Sequence, residues 1–298
     1  MNKLFYKIIT NLPENLGLCI FKIYAGIVST GFFLLFPNRV LIGVKFYQAL
    51  FPDKDRLYHI WCAWKQFHNF TTVFTDRLQL QKSDLNTNRK ISYTSSGWNH
   101  IEEAVKNKTG GIILMSHMGN WEMAAHLFKK KMPDAPLLFY MGVKHKEQME
   151  NIQKQSLTQS GVKIIAVDQT GGSPFDLIEG ISFLKSGGLV SLTGDIIWHE
   201  NQRSVEVEFL GQKAIIPEVP HIFALLSGVP LFVFFAFRTG DKQYHFTITK
   251  PAFIKCSSRK NRKAEIKNSA QNYANLLEKA LKQHPFQWYH FSRFMNHD

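Results

Sequence analysis

From residue 110 onward the chain repeats one pattern: a short apolar run bounded by turn residues, then a segment of helical periodicity. Gly110-Gly111 leads into Ile112-Ile113-Leu114-Met115, and further runs lie at Leu137 to Tyr140, Val162 to Val167 and Leu189 to Leu192. A helical stripe through Trp121, Met123, Ala124, Leu127 and Phe128 follows the first run, and helices are expected over 146–159 and 174–186. Such alternation predicts an α/β fold, a mixed sheet flanked by helices. Val205 to Phe209 alternates as a half-buried strand, Leu231 to Phe237 is apolar enough to be buried on both sides, and Tyr244 to Thr249 alternates again. Between them Pro217 to Pro220 opens a helix that Gly228 stops.

Composition narrows the class. A chain of 298 residues, 45% hydrophobic with 25 Phe, 9 Tyr and 6 Trp, can bury a sizeable core without a disulfide or metal staple. Cys19, Cys62 and Cys256 are odd in number and widely spaced, so they form no disulfide framework. A net charge of +13 favours anionic partners, whether lipid headgroups, nucleic acid or an acidic carrier. Residues 255–282 concentrate that charge, with eight Lys/Arg against two Glu.

Residues 1–80 read as an apolar anchor with packing helices and 81–298 as the α/β domain, the two expected to form one structural unit. No formal charge occurs from Ile23 to Asn38, which suits a membrane-associated helix although the run is shorter than the ~20 residues of a bilayer span. Trp61, Trp64, Phe67 and Phe70 recur every third residue and form a packing face on a second helix.

The sharpest constellation is Ser116-His117-Met118-Gly119-Asn120-Trp121-Glu122. Asn120 is suited to cap a helix beginning at Trp121, which leaves His117 in the preceding loop and Glu122 in the first turn. In a continuous helix His117 and Glu122 would lie about 140° apart, so they meet only if the chain bends, and Gly119 permits the bend. Ser116 adjoins the histidine, but the chain has no GxSxG elbow here and adjacent strand residues face opposite ways. Asp195, His199 and Glu200 lack the spacing of a zinc or calcium site, so no metal is expected.

This loop resembles the HxxxxD/E motif of the glycerolipid-type acyltransferase superfamily, and the SHMGNWE string is similar to the signature of its lipid A biosynthesis branch. The resemblance continues in order through Phe51-Pro52, Asp195, Phe209-Leu210-Gly211, Pro230 with Arg238, and Pro285 to Arg293. After Tyr140 the chain departs from it, with Met141-Gly142 where relatives often have an Arg-Pro pair. The resemblance implies a glycerolipid-acyltransferase-like fold at the cytoplasmic face of a bacterial inner membrane, held peripherally or by a single helix. It implies transfer of a fatty acyl group from an acyl carrier protein or coenzyme A thioester to a hydroxyl of an anionic membrane lipid acceptor such as a lipid A precursor, a lysophospholipid or another amino- or glycolipid. No cofactor beyond the donor thioester is required. His117 is then the general base and Glu122 the carboxylate that orients its ring, with Gly119 and Asn120 supporting the loop and the oxyanion. Trp121, Asp195, Arg238, Trp288 and Arg293 are candidates for substrate binding or active-site support. A noncatalytic lipid- or nucleic-acid-binding protein is the alternative from charge and aromatic content, although no RNP, KH or zinc-finger pattern is present.

Overall fold

The computed structural model describes residues 14–83, 91–142, 154–155, 157–167, 174–198, 202–292 and 294–295. The chain divides into two compact units, the first taking in Met1–Tyr93, Arg238–Tyr244 and Leu281–Phe294 and the second the remainder.

In the first unit, α1 (Glu14–Leu35) and α2 (Pro37–Leu50) are separated by a bend of 91°. Pro37 causes it, because its ring excludes the residue before it from helical geometry, and Phe36 sits at φ −118° and ψ 66°. The uncharged run is therefore broken rather than continuous to Asn38, and among the described residues no single helix is long and apolar enough to cross a membrane. The long α3 (Arg56–Ser83) uses its aromatic face for packing. Phe67 and Phe70 meet Phe291, Phe70 also meets Tyr289, and Trp61 meets Phe286. Side-chain amides fix the same carboxy-terminal segment, Gln66 donating to the Trp288 carbonyl and Asn69 to that of Phe286.

A seven-stranded sheet, most of whose residues belong to the second unit, has the order β1-β9-β8-β2-β5-β3-β4. Its strands are β1 (Ser92–Ser96), β2 (Gly111–Met115), β3 (Leu137–Gly142), β4 (Lys163–Val167), β5 (Leu189–Thr193), β8 (Leu231–Gly240) and β9 (Gln243–Ile248). β2 pairs in parallel with both β5 and β8, and β3 with both β4 and β5. Every residue of β2 is buried, as an apolar strand in mid-sheet requires. The chain runs outward from β2 to β3 and β4, returns to place β5 between β2 and β3, and later adds β8 on the other side of β2. Such a reversal of winding leaves a crevice at the carboxyl ends of the central strands, where α/β proteins bind ligands.

Helices α4 (Trp98–Lys106), α5 (Trp121–Lys131), α6 (Pro174–Lys185), α7 (Val219–Ser227) and α8 (Arg262–Gln283) flank the sheet, α6 packing on β5 and α7 on β2. A separate antiparallel ribbon joins β6 (Ser204–Phe209) to β7 (Gln212–Pro217). Its two-residue turn has both Leu210 and Gly211 at positive φ, which matches the twist of the strands it connects. The helix expected over 146–159 lies outside the described residues except at 154–155 and 157–159, which are helical.

Candidate functional site

The site is set by strand register. Met115 is paired with Thr193 at the carboxyl ends of β2 and β5, and just beyond them the Gly194 N–H donates to the Met115 carbonyl at 2.8 Å. Two residues past each paired end, His117 and Asp195 face one another. The Asp195 carboxylate takes the His117 backbone N–H on Oδ2 at 2.7 Å and Nδ1 of the ring on Oδ1 at 2.9 Å. A carboxylate only accepts, so Nδ1 carries the proton and Nε2 keeps its lone pair. The aspartate side chain is 0% exposed while the imidazole is 23% exposed, an orienting group sealed beneath a reachable base.

The loop from Ser116 to Asn120 is tied on its other side to β8. Gly119 forms a parallel bridge with Ala236, and the Asn120 N–H donates to the Ala236 carbonyl at 2.8 Å. Gly119 has φ +72°, and a Cβ there would lie 1.8 Å from that carbonyl oxygen, so both the conformation and the close approach demand glycine. Asn120 caps α5 as its sequence position suggested, Oδ1 accepting the Met123 N–H at 3.1 Å.

Glu122 is buried in the first turn of α5. The family resemblance implies that it holds the imidazole; among the described residues, the ring's hydrogen-bond partner is instead Asp195. The physical reason is topological. Loop 116–120 is pinned between the end of β5 and the Ala236 carbonyl, and the parallel register brings residue 195 beside residue 117 with both oxygens available.

Two neighbours of the pair had no signature in the sequence. Tyr273 of α8, 1% exposed, donates its hydroxyl to the Met115 carbonyl at 3.1 Å and holds the strand end from which the loop departs. Burial pushes its phenol well above the usual range and the Asp195 charge pushes it further, so it stays a neutral donor. Gly194 makes room for that ring, since a Cβ would lie 2.7 Å from it. Trp198 meets the His117 ring edge to face, with centroids 6.3 Å apart. Its place three residues after a strand-end aspartate was the only available hint.

The other candidates have contacts of their own. Half-buried Trp121 opens α5 and packs against Phe139. Arg238 belongs to the first unit, where Nε bonds buried Asp76 at 3.2 Å and Nη2 bonds Asp241 at 3.0 Å. Burial alone would lower its pKa, but the two aspartates outweigh that and hold the guanidinium charged. Trp288, 1% exposed, is a core residue of the same unit against Phe46 and Phe294. Arg293, like His199 and Glu200, lies outside the described residues. Among the described residues no three His, Cys, Asp or Glu side chains gather where they could hold a metal ion.

The family model described as bacterial lipid A biosynthesis acyltransferase matches residues 48–295, a span that includes every residue of this site. No curated protein matches the chain.

Proposed function

The chain belongs to the bacterial lipid A biosynthesis acyltransferase family, and from that premise we propose that it transfers a fatty acyl group from an acyl carrier protein or coenzyme A thioester to a hydroxyl of a membrane lipid acceptor such as a lipid A precursor. The family makes the chain an acyltransferase, and the noncatalytic alternative falls. The observation that carries the chemistry is the bond of His117 Nδ1 to Asp195, which leaves Nε2 as the proton acceptor.

The acceptor hydroxyl attacks the thioester carbonyl while His117 Nε2 takes its proton. Asp195 stabilises the imidazolium so formed, and the same ring returns the proton to the departing thiolate. The tetrahedral oxyanion needs N–H donors. The His117 and Asn120 amides are already bonded to Asp195 and Ala236, which leaves those of Met118 and Gly119 as the loop's candidates. Glu122 serves as a positioning residue, its negative charge favoured at the start of α5. Arg238 acts as a structural clasp within the first unit, with Trp288 as its packing anchor.

Membrane association rests on α1 and α2, whose exposed side chains include Ile23, Ile27, Leu34 and Leu35, the last two 72% and 76% exposed. With a charge of +13, this surface suits the cytoplasmic leaflet of the bacterial inner membrane, the bent helix pair lying in the interface rather than spanning it.

The test is direct. Purified protein given an acyl thioester and lipid acceptors releases free thiol and forms a heavier acylated lipid, and His117→Ala lowers turnover by about 10²–10⁴-fold with the fold intact. Full activity in His117→Ala would remove the proposed base. Lipid mass spectrometry after loss of the protein, with rescue by wild type but not by His117→Ala, identifies the acceptor as the hydroxyl-bearing lipid that accumulates.

A further inference from the structure

Trp198 lies where none of the steps above requires it. Its six-membered ring rests directly on Gly142 at the carboxyl end of β3, so close that a Cβ on that glycine would lie 2.5 to 2.6 Å from three indole carbons. The indole also meets the His117 imidazole at an interplanar angle of 60°. Its own backbone N–H is held by Gln202 Oε1 at 2.7 Å, which fixes the segment after Asp195. The side chain thus touches both the end of β3 and the reactive histidine. It is only half-buried, so part of the indole stays exposed beside the ring it touches.

A base that deprotonates an alcohol deprotonates water as readily, so an acyltransferase must keep water from Nε2 while its thioester is bound. In both reactions the C–S bond of the thioester breaks and the proton taken by His117 passes to the thiolate. With an acceptor alcohol the new C–O bond makes an ester and a free thiol; with water it makes a carboxylic acid and a free thiol. The outcome depends on which oxygen reaches the carbonyl. Resting on the acyl-transfer reading above, we infer that Trp198, seated on Gly142, is the specificity-determining wall that admits the acceptor hydroxyl and excludes water. Gly142 is the matching half of the device. No side chain larger than hydrogen fits beneath the indole, and β3 there is extended with no need of glycine's left-handed freedom.

The experiment measures the ratio of free fatty acid to acylated lipid at equal thiol release, using the full chain, a long-chain acyl thioester and the lipid acceptor that wild type acylates. Trp198→Ala raises that ratio about tenfold, a change of ~1.4 kcal/mol between the two barriers. Gly142→Ala, which pushes the indole off its seat without deleting it, shifts the ratio the same way. Trp198→Leu and Gly142→Ala carry the test should Trp198→Ala fail to fold. An unchanged ratio in the folded variants overturns the wall. Wild-type protein that releases no thiol with any acceptor overturns the acyl-transfer reading itself, so the two failures are distinguishable.

Discussion

At the scale of single residues, one hydrogen atom in place of a methyl group shapes the motif loop. Gly119→Ala would place Cβ 1.8 Å from the Ala236 carbonyl oxygen at a backbone φ of +72°. Strain of this kind costs roughly 1–3 kcal/mol, and the larger effect is on geometry. If the loop relieves the clash by moving about 1 Å, turnover should fall by about 10²-fold. Steady-state kinetics beside a thermal melt separate the two effects, and a Gly119→Ala enzyme with wild-type turnover would refute the close approach. Asn120→Ala should cost about 1 kcal/mol through the lost cap, read by urea unfolding. Both residues were legible in the sequence because glycine and asparagine announce a turn and a cap locally. The partnership of His117 with Asp195 was not, since those residues are joined only through the pairing of β2 with β5. Glu122 took the assignment from its place in the HxxxxD/E pattern, which lies within one short stretch of chain, whereas Asp195 is 78 residues away from His117.

At the scale of elements, central strands were readable because they are apolar on both faces, as β2 and the first seven residues of β8 are. The polar edge strand β1, Ser92 to Ser96, was not, because it presents no apolar run, and neither was β7, whose short Ala214-Ile215-Ile216 run ends at Pro217, which reads as a helix start. Pro37 divides an uncharged stretch that hydropathy alone joins. On α7, buried His221 bonds Ser269 Oγ through Nδ1 at 2.9 Å, and burial lowers its pKa from 6.5 to about 4. The unfolded chain takes up this proton below pH 6.5 and the folded chain resists it. Stability is therefore lost progressively as pH falls from 6.5 toward 4, by roughly 3 kcal/mol in total. Urea unfolding at pH 7 and pH 4.5 should show that loss in wild type and a shallower one in His221→Leu. Equal slopes would mean that His221 is not protected from protonation.

For the whole molecule, charge and exposed apolar surface act together. Each exposed leucine buried in the interface contributes roughly 1.5–3 kcal/mol, so replacing Leu34 and Leu35 with Asp should weaken binding to phosphatidylglycerol vesicles by at least ~tenfold. Raising salt should weaken it further by screening the basic surface. Binding that ignores both changes, read by vesicle co-sedimentation, would place the membrane contact elsewhere. The family match begins at residue 48, so α1 and most of α2 stand outside it, whereas the strands and loops that build the site stand inside. The account comes down to one buried carboxylate aligning one imidazole. The most direct measurement is kcat for acyl transfer by Asp195→Asn, an isosteric change that removes the charge and favours the wrong tautomer. A loss of about 10³–10⁴-fold with an unchanged melting temperature is the expected result, and turnover within a few-fold of wild type would contradict it.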